Sequence, residues 1–276
     1  MQILKGKNVA ENITKNFANR IETLEQKGVH PHIAILGISG DNASEVYIKK
    51  IEKNCDKYKI GFTLKMAHTS QEFKTNFESI KNNKEITGIM FQQPLPKELL
   101  DLINEVPAEK DIEGIGINNM GRLFCGKNNA LIPCTSKAVI ETIDYYNINL
   151  AKKKVVIVGR SNIVGKPLIP QILAKDASVT ICHSKTKALK QETLTADIII
   201  MAIGKSNFLN KDFIKKGAIL IDVGINFENG KIVGDIDFES IKNTASMCSP
   251  VPGGIGIVTN AVLIDNIIKS CEYNIL

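Results

Sequence analysis

The sequence predicts an α/β protein of two domains, and three observations lead to that prediction. Short β-branched stretches alternate with helical ones along the whole chain, which is typical of parallel sheets flanked by helices. In the second half, strands recur about every thirty residues, as expected of βαβ units. A length of 276 residues suits two domains of medium size.

Each element is predicted from its periodicity and its boundary residues. In the first half we expect, in order, a helix Val9–Lys27 ending at Gly28, a strand His32–Ile38, a helix Ser44–Tyr58, a strand Phe62–Met66, a helix Ser70–Lys81, a strand Thr87–Phe91, a short helix Glu98–Ile103, a loop Lys110–Gly126 and a helix Ser136–Tyr146. In the second half we expect strands at 154–158, 178–182, 197–202 and 218–223, a helix at 167–174 and a last helix Asn260–Cys271.

We place the first domain at residues 1–120 and the second at 121–257. The remaining segment, 258–276, contains the last helix, which follows the glycine-rich Pro252–Gly256 and is expected to pack back on the first domain.

Composition excludes several classes of protein. The net charge of +6 is modest and spread along the chain, so it does not indicate a nucleic-acid-binding surface. No apolar run is long enough to cross a bilayer, and the N-terminus lacks a signal-peptide core. The six cysteines are scattered and the four histidines have no ligand spacing, so we expect a cytoplasmic protein with reduced thiols and no metal.

The most informative stretch is VVIVGRSNIVGKP, at residues 155–167. A buried strand runs into Gly159, a small-residue turn follows, and Gly165 and Pro167 open a helix. Free amides and the dipole at such a helix start favour an anion of phosphate size. Because Ser161 replaces the second glycine of the usual fingerprint, both a dinucleotide site and a purely structural turn remain open at this point.

The end of the next strand bears on the choice of dinucleotide. NAD-binding folds place a carboxylate there for the ribose hydroxyl, whereas this chain has His183-Ser184-Lys185-Thr186 and no carboxylate before Glu192. Hydroxyls and a cation would bind a 2′-phosphate, and Arg160 could reach the same group. We therefore expect NADP, with solvated Lys185 and Arg160 side chains as the alternative.

Motifs throughout the chain then give a specific resemblance. They are Ser44-x-x-Tyr47, Gln92-x-Pro94-Leu95-Pro96, Lys110-Asp111, Pro133-Cys134-Thr135, the glycine turn 159–167, Cys182–Thr186, Asp222–Asn226, Gly234-Asp235-Ile236 and Pro250–Gly254. With these motifs the chain resembles the methylenetetrahydrofolate dehydrogenase/methenyltetrahydrofolate cyclohydrolase family. The resemblance implies a substrate domain, a Rossmann-like NADP-binding domain and a homodimer. It also implies oxidation of 5,10-methylenetetrahydrofolate by NADP⁺, followed by hydrolysis of the methenyl product to 10-formyltetrahydrofolate.

The resemblance also assigns roles to particular residues. Tyr47 and Gln92 would be catalytic, and Tyr47, Asp111, Glu113, Pro252, Gly253 and Gly254 would contact the folate. The residues implied for the cofactor are Gly159, Arg160, Ser161, Ile163, Val164, Gly165, Pro167, His183, Ser184, Gly204, Asp222, Gly224 and Ile225.

Departures from the family pattern lie on the folate side. The lysine that serves cyclohydrolase chemistry is Ile51 here, and the pterin-contacting aspartate is Glu113. Isoleucine cannot act as a base or hydrogen-bond donor, so we expect the dehydrogenase reaction to be retained and the hydrolysis to be weak or lost. Lys50, about 60° from Tyr47 around the helix, is a possible substitute.

Two other functions remain open from the sequence. One is a non-catalytic regulatory protein that binds NADP or folate. The other is a different two-domain NADP dehydrogenase, such as one acting on shikimate, although the motifs around Tyr47 and Gln92 disfavour it.

Overall fold

The structure, a computed structural model, describes residues 1–39, 42–228 and 230–273, with the backbone alone at 42–46. The strands of this described part are β1 Gln2–Ile3, β2 His32–Ile38, β3 Gly61–Ala67, β4 Gly88–Phe91, β5 Lys154–Val158, β6 Ser178–Cys182, β7 Ile198–Met201, β8 Ile219–Asp222, β9 Asn226–Glu228, β10 Lys231–Val233 and β11 Met247–Cys248. Its α-helices are α1 Gly6–Thr14, α2 Phe17–Gln26, α3 Asn42–Lys57, α4 Ser70–Lys81, α5 Ile117–Phe124, α6 Cys134–Tyr145, α7 Gly165–Leu173, α8 Leu189–Leu194, α9 Phe238–Ile241 and α10 Ile255–Tyr273. Two 3₁₀ helices cover Lys97–Glu105 and Lys211–Phe213.

The chain divides into two compact units. One contains Met1–Asn12 and Pro133–Val262, and we call it the nucleotide unit. The other contains Ile13–Ile132 and Leu263–Leu276, and we call it the substrate unit.

These bounds differ from the expected domains at three places. Residues 258–262, expected to pack on the first domain with the rest of the last segment, belong to the nucleotide unit. Met1–Asn12 belongs to the nucleotide unit because β1 pairs with β11 in its sheet. Residues 121–132 belong to the substrate unit, where α5 and the segment after it pack. One such contact is the hydrogen bond from the Leu131 amide to the buried Asn119 side chain.

The substrate unit is built on a parallel sheet in the order β3-β2-β4. Its central strand β2 is buried on both faces over Ile33–Gly37, which explains why its sequence is continuously apolar. On one side of the sheet, the rings of Phe73 and Phe77 from α4 make edge contacts with Phe91 of β4. This packing fixes the carboxyl end of β4, the point at which Gln92 leaves the sheet.

The nucleotide unit is built on a six-stranded parallel sheet in the order β1-β11-β8-β7-β5-β6. The chain runs from β5 to β6 on one side and then crosses to β7 on the other, so the strand order reverses at β5. Open α/β sheets bind ligands beyond the carboxyl end of the strand where such a reversal occurs. In this sheet that position is Gly159, the first glycine of the 155–167 stretch.

Several sequence expectations need correction. The last helix, expected at Asn260–Cys271, is α10 and begins at Ile255. The predicted helix Val9–Lys27 is two helices, α1 and α2, with a break at residues 15–16. The predicted loop Lys110–Gly126 contains α5. The hairpin β9–β10 and the short strands β1 and β11 have no counterpart in the prediction. These elements depend on pairing between strands of only two or three residues, which periodicity does not detect.

In the part of the chain that the structure describes, no helix combines the length and the apolar character that a bilayer crossing requires. The same described residues contain no cluster of three or more potential metal ligands.

Candidate functional site

The turn after β5 requires its two glycines. Gly159 has φ +132°, and a Cβ on it would stand 2.2 Å from the carbonyl oxygen of Ala202. A Cβ on Gly165 would stand 2.1 Å from the carbonyl oxygen of Gly159. Helix α7 therefore starts directly against the end of β5, the close helix–strand approach for which dinucleotide-binding folds use glycine.

Hydrogen bonds within the turn hold its backbone in place. Ser161 Oγ accepts from the Val164 amide at 3.1 Å, and the Ser161 carbonyl accepts from the Lys166 amide at 3.1 Å. Ile163 is exposed at the tip, whereas Pro167 is buried in the first turn of α7. The positive end of the α7 dipole lies at this turn, so the turn suits an anion.

Positive and hydroxyl side chains lie at the end of β6. Thr186 Oγ accepts from the His183 amide at 2.9 Å, and His183 Nδ1 accepts from the Lys185 amide at 3.1 Å. This folded turn leaves Ser184 and Lys185 exposed, and Arg160 is exposed after β5.

The nearest carboxylate in the sequence after this turn is engaged elsewhere. Glu192 accepts from Lys154 Nζ at 2.8 Å, and Lys154 lies at the opposite, amino end of β5. The end of β6 can therefore take a phosphate without competition from Glu192. Together with the glycines of the β5–α7 turn, these residues fit a dinucleotide that carries a 2′-phosphate.

Gly204, expected to contact the cofactor, uses its amide within the protein. The consecutive amides of Ile203, Gly204 and Lys205 donate to the carboxylate of Asp235 at 2.7, 3.1 and 2.7 Å. Asn226 Nδ2 adds a fourth donor at 3.0 Å. The carboxylate thus fills a concave set of backbone amides of the kind that elsewhere binds anions, and it fixes the loop after β7.

The Asp222 carboxylate also bonds to backbone amides of the protein itself. Its Oδ1 accepts from the amides of Gly224 and Asp235, and its Oδ2 accepts from the amide of Ile236. Desolvation and the Asp235 charge raise the pKa of Asp222 to about 7, while these hydrogen bonds lower it. Both carboxylate oxygens of Asp222 therefore organise the loop after β8. In that loop the side chain of Ile225 is exposed.

The loop before α10 contains the three residues expected to contact folate from this unit. The Gly253 carbonyl accepts from the Gly6 amide at 2.8 Å, and Gly253 has φ +104°. The Gly254 carbonyl accepts from the Ile257 amide at 3.1 Å, while Pro252 is exposed after a cis peptide bond. In this loop Gly254 is required by packing, since a Cβ on it would stand 2.4 Å from the Pro250 carbonyl oxygen.

In the substrate unit, Gln92 follows the last residue of β4 and is 8% exposed. Its amide N–H donates to the Leu36 carbonyl at 2.8 Å, so its backbone continues the sheet pairing. Its side-chain Oε1 is buried and has no hydrogen-bond partner among the described residues. Such an acceptor is costly unless a donor reaches it, which points to a bound ligand or water at this position.

The two expected pterin contacts differ in their surroundings. Asp111 is 4% exposed, and its carboxylate accepts from Gly116 N at 2.9 Å, Asn119 Nδ2 at 3.0 Å and Ile115 N at 3.3 Å. Desolvation raises the pKa of Asp111, and these hydrogen bonds lower it. Asp111 therefore organises the turn before α5.

Glu113 is the carboxyl better suited to a ligand. Desolvation, together with the nearby charge of Asp111, raises the pKa of Glu113 to about 8, although a hydrogen bond with the Phe91 backbone lowers it. At neutral pH the Glu113 carboxyl is then mainly protonated and can donate as well as accept a hydrogen bond. The Phe91 contact places it next to the end of β4, where Gln92 begins.

The remaining three candidates lie on helix α3 and differ in their exposure to solvent. Tyr47 is 38% exposed and Lys50 is exposed three residues later, whereas Ile51 is 1% exposed and belongs to the core. The position of the family lysine therefore faces inward and is filled by an aliphatic side chain. The side chain of Ser44, from the Ser44-x-x-Tyr47 motif, lies outside the described residues.

Two residues that organise these sites were missed from the sequence. Asp235 belongs to a family motif that assigns it no role, and Asn119 lies in a segment expected to be a loop. Each is fully buried, and a buried polar side chain signals such a role only once its burial is known.

One unit thus has the reversed parallel sheet, glycine turn and cationic strand end of an NAD(P)-binding domain. The other has the unpartnered amide and the protonated carboxyl of a small-molecule site at the end of β4. Together they define a two-domain nucleotide-dependent enzyme.

The comparisons with known proteins identify the family. The NAD(P)-binding domain of tetrahydrofolate dehydrogenase/cyclohydrolase matches residues 133–275, and its catalytic domain matches residues 4–113. The chain belongs to the tetrahydrofolate dehydrogenase/cyclohydrolase family.

Individual relatives match over nearly their full length. The bifunctional protein FolD of Campylobacter hominis is 41% identical over 99% of this chain and 98% of its own. The solved structure of the bifunctional methylenetetrahydrofolate dehydrogenase/cyclohydrolase FolD from Campylobacter jejuni has a TM-score of 0.94 at 36% identity, covering 99% of each chain. That of the Trypanosoma brucei enzyme, complexed with NADP cofactor and inhibitor, has a TM-score of 0.91 at 27% identity, covering 99% of this chain and 98% of its own.

Proposed function

We propose that this protein oxidises 5,10-methylenetetrahydrofolate to 5,10-methenyltetrahydrofolate with NADP⁺, in one-carbon folate metabolism. The observation that supports the proposal is the close approach of α7 to the end of β5 at Gly159 and Gly165, next to the carboxylate-free end of β6, in a member of this family. NADP⁺ supplies the hydride acceptor when it is bound.

The oxidation makes modest chemical demands on the protein. The bridging carbon loses a hydride, and the lone pairs of its two nitrogens stabilise the resulting cation, so no substrate proton has to be removed. The requirement is geometric, because the donor carbon and the acceptor must be held in contact at the correct angle. On the nucleotide side, the hydrogen bonds of Ser161, Asp235 and Asp222 that hold the loops after β5, β7 and β8 support this role.

Selection of NADP over NAD is assigned to Arg160, Ser184 and Lys185. A 2′-phosphate gains charge-assisted hydrogen bonds from such side chains, whereas the ribose hydroxyl of NAD would gain little from them. The ion pair that holds Glu192 at Lys154 supports this assignment, since it keeps that carboxylate away from the phosphate.

On the substrate side, we assign Gln92 and Glu113 to hydrogen bonds with the folate ring system and Tyr47 to contact with its face. The unpartnered Gln92 Oε1 accepts from a substrate N–H or a bound water. The protonated Glu113 carboxyl presents both a donor and an acceptor.

The hydrolysis of the methenyl product has a further demand. Water must lose a proton as it adds to the cationic carbon, and a base in the site normally accelerates such a step by roughly 10²–10⁴-fold. Ile51 cannot accept that proton. We therefore propose that 10-formyltetrahydrofolate forms more slowly than the methenyl compound, with Lys50, an exposed cation on α3 three residues after Tyr47, as the possible substitute for the lysine.

A direct assay tests the proposal. Purified protein is given methylenetetrahydrofolate with NADP⁺ or with NAD⁺, and reduced cofactor is followed by absorbance. We expect turnover with a clear preference for NADP⁺. NADP⁺ binding without turnover would instead support a regulatory binding protein, and oxidation of shikimate but not of the folate would support the other dehydrogenase class.

We also propose that the protein forms a homodimer. The hairpin β9–β10 exposes apolar side chains: Phe227 is 79% exposed, and its cross-strand partner Ile232 is 41% exposed. Ile225, just before the hairpin, is 59% exposed. A contiguous group of exposed apolar side chains is typical of a protein-contact surface.

Sedimentation velocity tests the dimer. Phe227→Lys should shift the protein toward the monomer, whereas Leu173→Lys, at a side chain 53% exposed on α7, should leave the dimer intact. A wild-type monomer at micromolar concentration would contradict the proposal.

We place the protein in the cytoplasm. The six cysteines lie within the described residues and form no disulfide there, in keeping with a reducing compartment.

A further inference from the structure

Gly37 occupies an unusual place in strand β2. Glycine within a strand weakens it and commonly marks the close approach of another group. Gly37 is paired with Met66 of β3 on one side. On the other side, the pairing between β2 and β4 ends at Leu36 and Phe91.

The next residues along these two strands are Gly37 and Gln92. Adjacent parallel strands present side chains of the same register on the same face of the sheet. The hydrogen bond from the Gln92 amide to the Leu36 carbonyl extends the pairing by one step. A side chain at residue 37 would therefore be the direct neighbour of the Gln92 side chain.

The Gln92 side chain occupies the space that a larger residue at 37 would need. A Cβ on Gly37 would stand 2.2 Å from Gln92 Oε1 and 3.0 Å from Gln92 Cδ. The other near atom, Met66 Cε at 3.0 Å, is the end of a flexible side chain. A side chain at residue 37 would therefore press mainly on the Gln92 carboxamide. The oxygen of that carboxamide has no hydrogen-bond donor in the described part of the protein.

We propose that Gly37 is a positioning residue for Gln92: the absence of a side chain at 37 allows the carboxamide to lie against β2 with Oε1 directed to a donor on the folate substrate or its bound water. This proposal rests on the proposed function, because it assigns Gln92 to the substrate.

A methyl group at residue 37 should displace the carboxamide rather than unfold the sheet. Both groups that it meets are ends of flexible side chains, and these move at lower cost than backbone. Displacement of a substrate-positioning group by about 1 Å can reduce a rate by up to about 10²-fold. Gly37→Ala should therefore lower kcat/KM for methylenetetrahydrofolate by roughly ten- to a hundred-fold, with the Kd of NADP⁺ unchanged.

Gly61→Ala is the matched control. Gly61 lies in the same sheet at the amino end of β3, and a Cβ there would stand 2.7 Å from the His32 ring. This variant also introduces a steric conflict with a side chain, but at the other end of the sheet. We expect its kcat/KM to stay close to that of the wild type, even if its melting temperature falls as much as that of Gly37→Ala.

A double-mutant cycle with Gln92→Ala distinguishes an effect of residue 37 on the Gln92 side chain from a non-specific loss of structure. If Gly37 acts through the carboxamide, Gly37→Ala should lower kcat/KM in the wild type but have no further effect in Gln92→Ala. Equal losses in both backgrounds, or a loss no greater than that of Gly61→Ala, would overturn the proposal. Absence of wild-type turnover in the same assay would instead overturn the proposed function, so the two failures are distinguishable.

Discussion

Ile51 illustrates how one residue changes the expected balance of two reactions. It lies on the same helix as Tyr47 but is buried, so a lysine at this position would have its ammonium group in poorly solvated surroundings. Burial lowers the pKa of a lysine, which is the property that lets it act as a base near neutral pH.

We expect Ile51→Lys to raise the rate of methenyltetrahydrofolate hydrolysis relative to the rate of oxidation, by at least about ten-fold. Both rates are measured on the same preparation, and Ile51→Met serves as the control because it conserves apolar volume. A folded Ile51→Lys protein with the wild-type ratio of rates would show that another group performs this role.

Glu113 gives a prediction about pH. Its pKa is about 8 in the folded protein, against an ordinary value of 4.5, so between these values the folded state binds more protons than the unfolded state. The free energy of unfolding therefore decreases as the pH rises through that interval. In Glu113→Gln this decrease should be smaller.

The measurement is the urea unfolding midpoint from pH 5 to pH 8 for wild type and variant. Asp222, whose pKa is raised to about 7, contributes a decrease of the same sign in both proteins and cancels in the comparison. Parallel curves for the two proteins would contradict the assignment to Glu113.

At the residue scale, the sequence predicted the glycines of the β5–α7 turn because their spacing has a geometric reason. It did not predict that the Asp222 and Gly204 groups serve the protein's own loops. Whether a polar group bonds within the protein or remains available to a ligand depends on partners distant in sequence, such as Asp235. No local sequence pattern specifies those partners.

At the scale of elements, the buried strands were predicted closely. The continuous β-branched runs of β5 and β7 are needed in the middle of a parallel sheet covered on both faces, whereas β6 is an edge strand and is only partly buried. Helix α5 was missed because its sequence is rich in asparagine and glycine, and it depends on tertiary contacts. Asn119 within it donates to both Asp111 and the Ala108 carbonyl.

The side chain of Arg20 connects helices α2 and α10. Arg20 donates to both carboxylate oxygens of Glu272 at 2.7 and 2.8 Å, and to Asp265 at 2.6 Å. The charges and hydrogen bonds of these carboxylates raise the pKa of Arg20, against the opposing effect of burial. The Asp265 side chain is only 9% exposed and also lies 3.2 Å from Lys269 Nζ, so loss of Arg20 removes one of the cations that compensate a poorly solvated charge.

Arg20→Met keeps most of the apolar stem but removes the guanidinium. We expect it to lower the free energy of unfolding by about 1–3 kcal/mol, measured by urea denaturation. The control is Lys7→Met, whose ion pair with Glu11 is exposed and 3.9 Å long; its effect should stay within about 0.5 kcal/mol. Equal effects of the two substitutions would show that the Arg20 cluster does not stabilise the unit.

At the scale of the whole molecule, the sequence predicted two α/β domains, and the fold class was confirmed by structures of the family. The N-terminal segment was the least predictable part. Residues 1–12 join the nucleotide unit through the two-residue strand β1, whose partner β11 lies far along the chain. Contacts of this kind are specified by the completed fold rather than by local sequence.

The central claim is that the nucleotide unit supports hydride transfer to NADP⁺, while Ile51 on the folate side slows hydrolysis of the methenyl product. The most direct test supplies methylenetetrahydrofolate and NADP⁺ to the purified protein and follows the methenyl intermediate and 10-formyltetrahydrofolate together. We predict that NADPH forms steadily and that the methenyl intermediate accumulates before it is hydrolysed. Hydrolysis as fast as oxidation, with no accumulation of the intermediate, would contradict the claim.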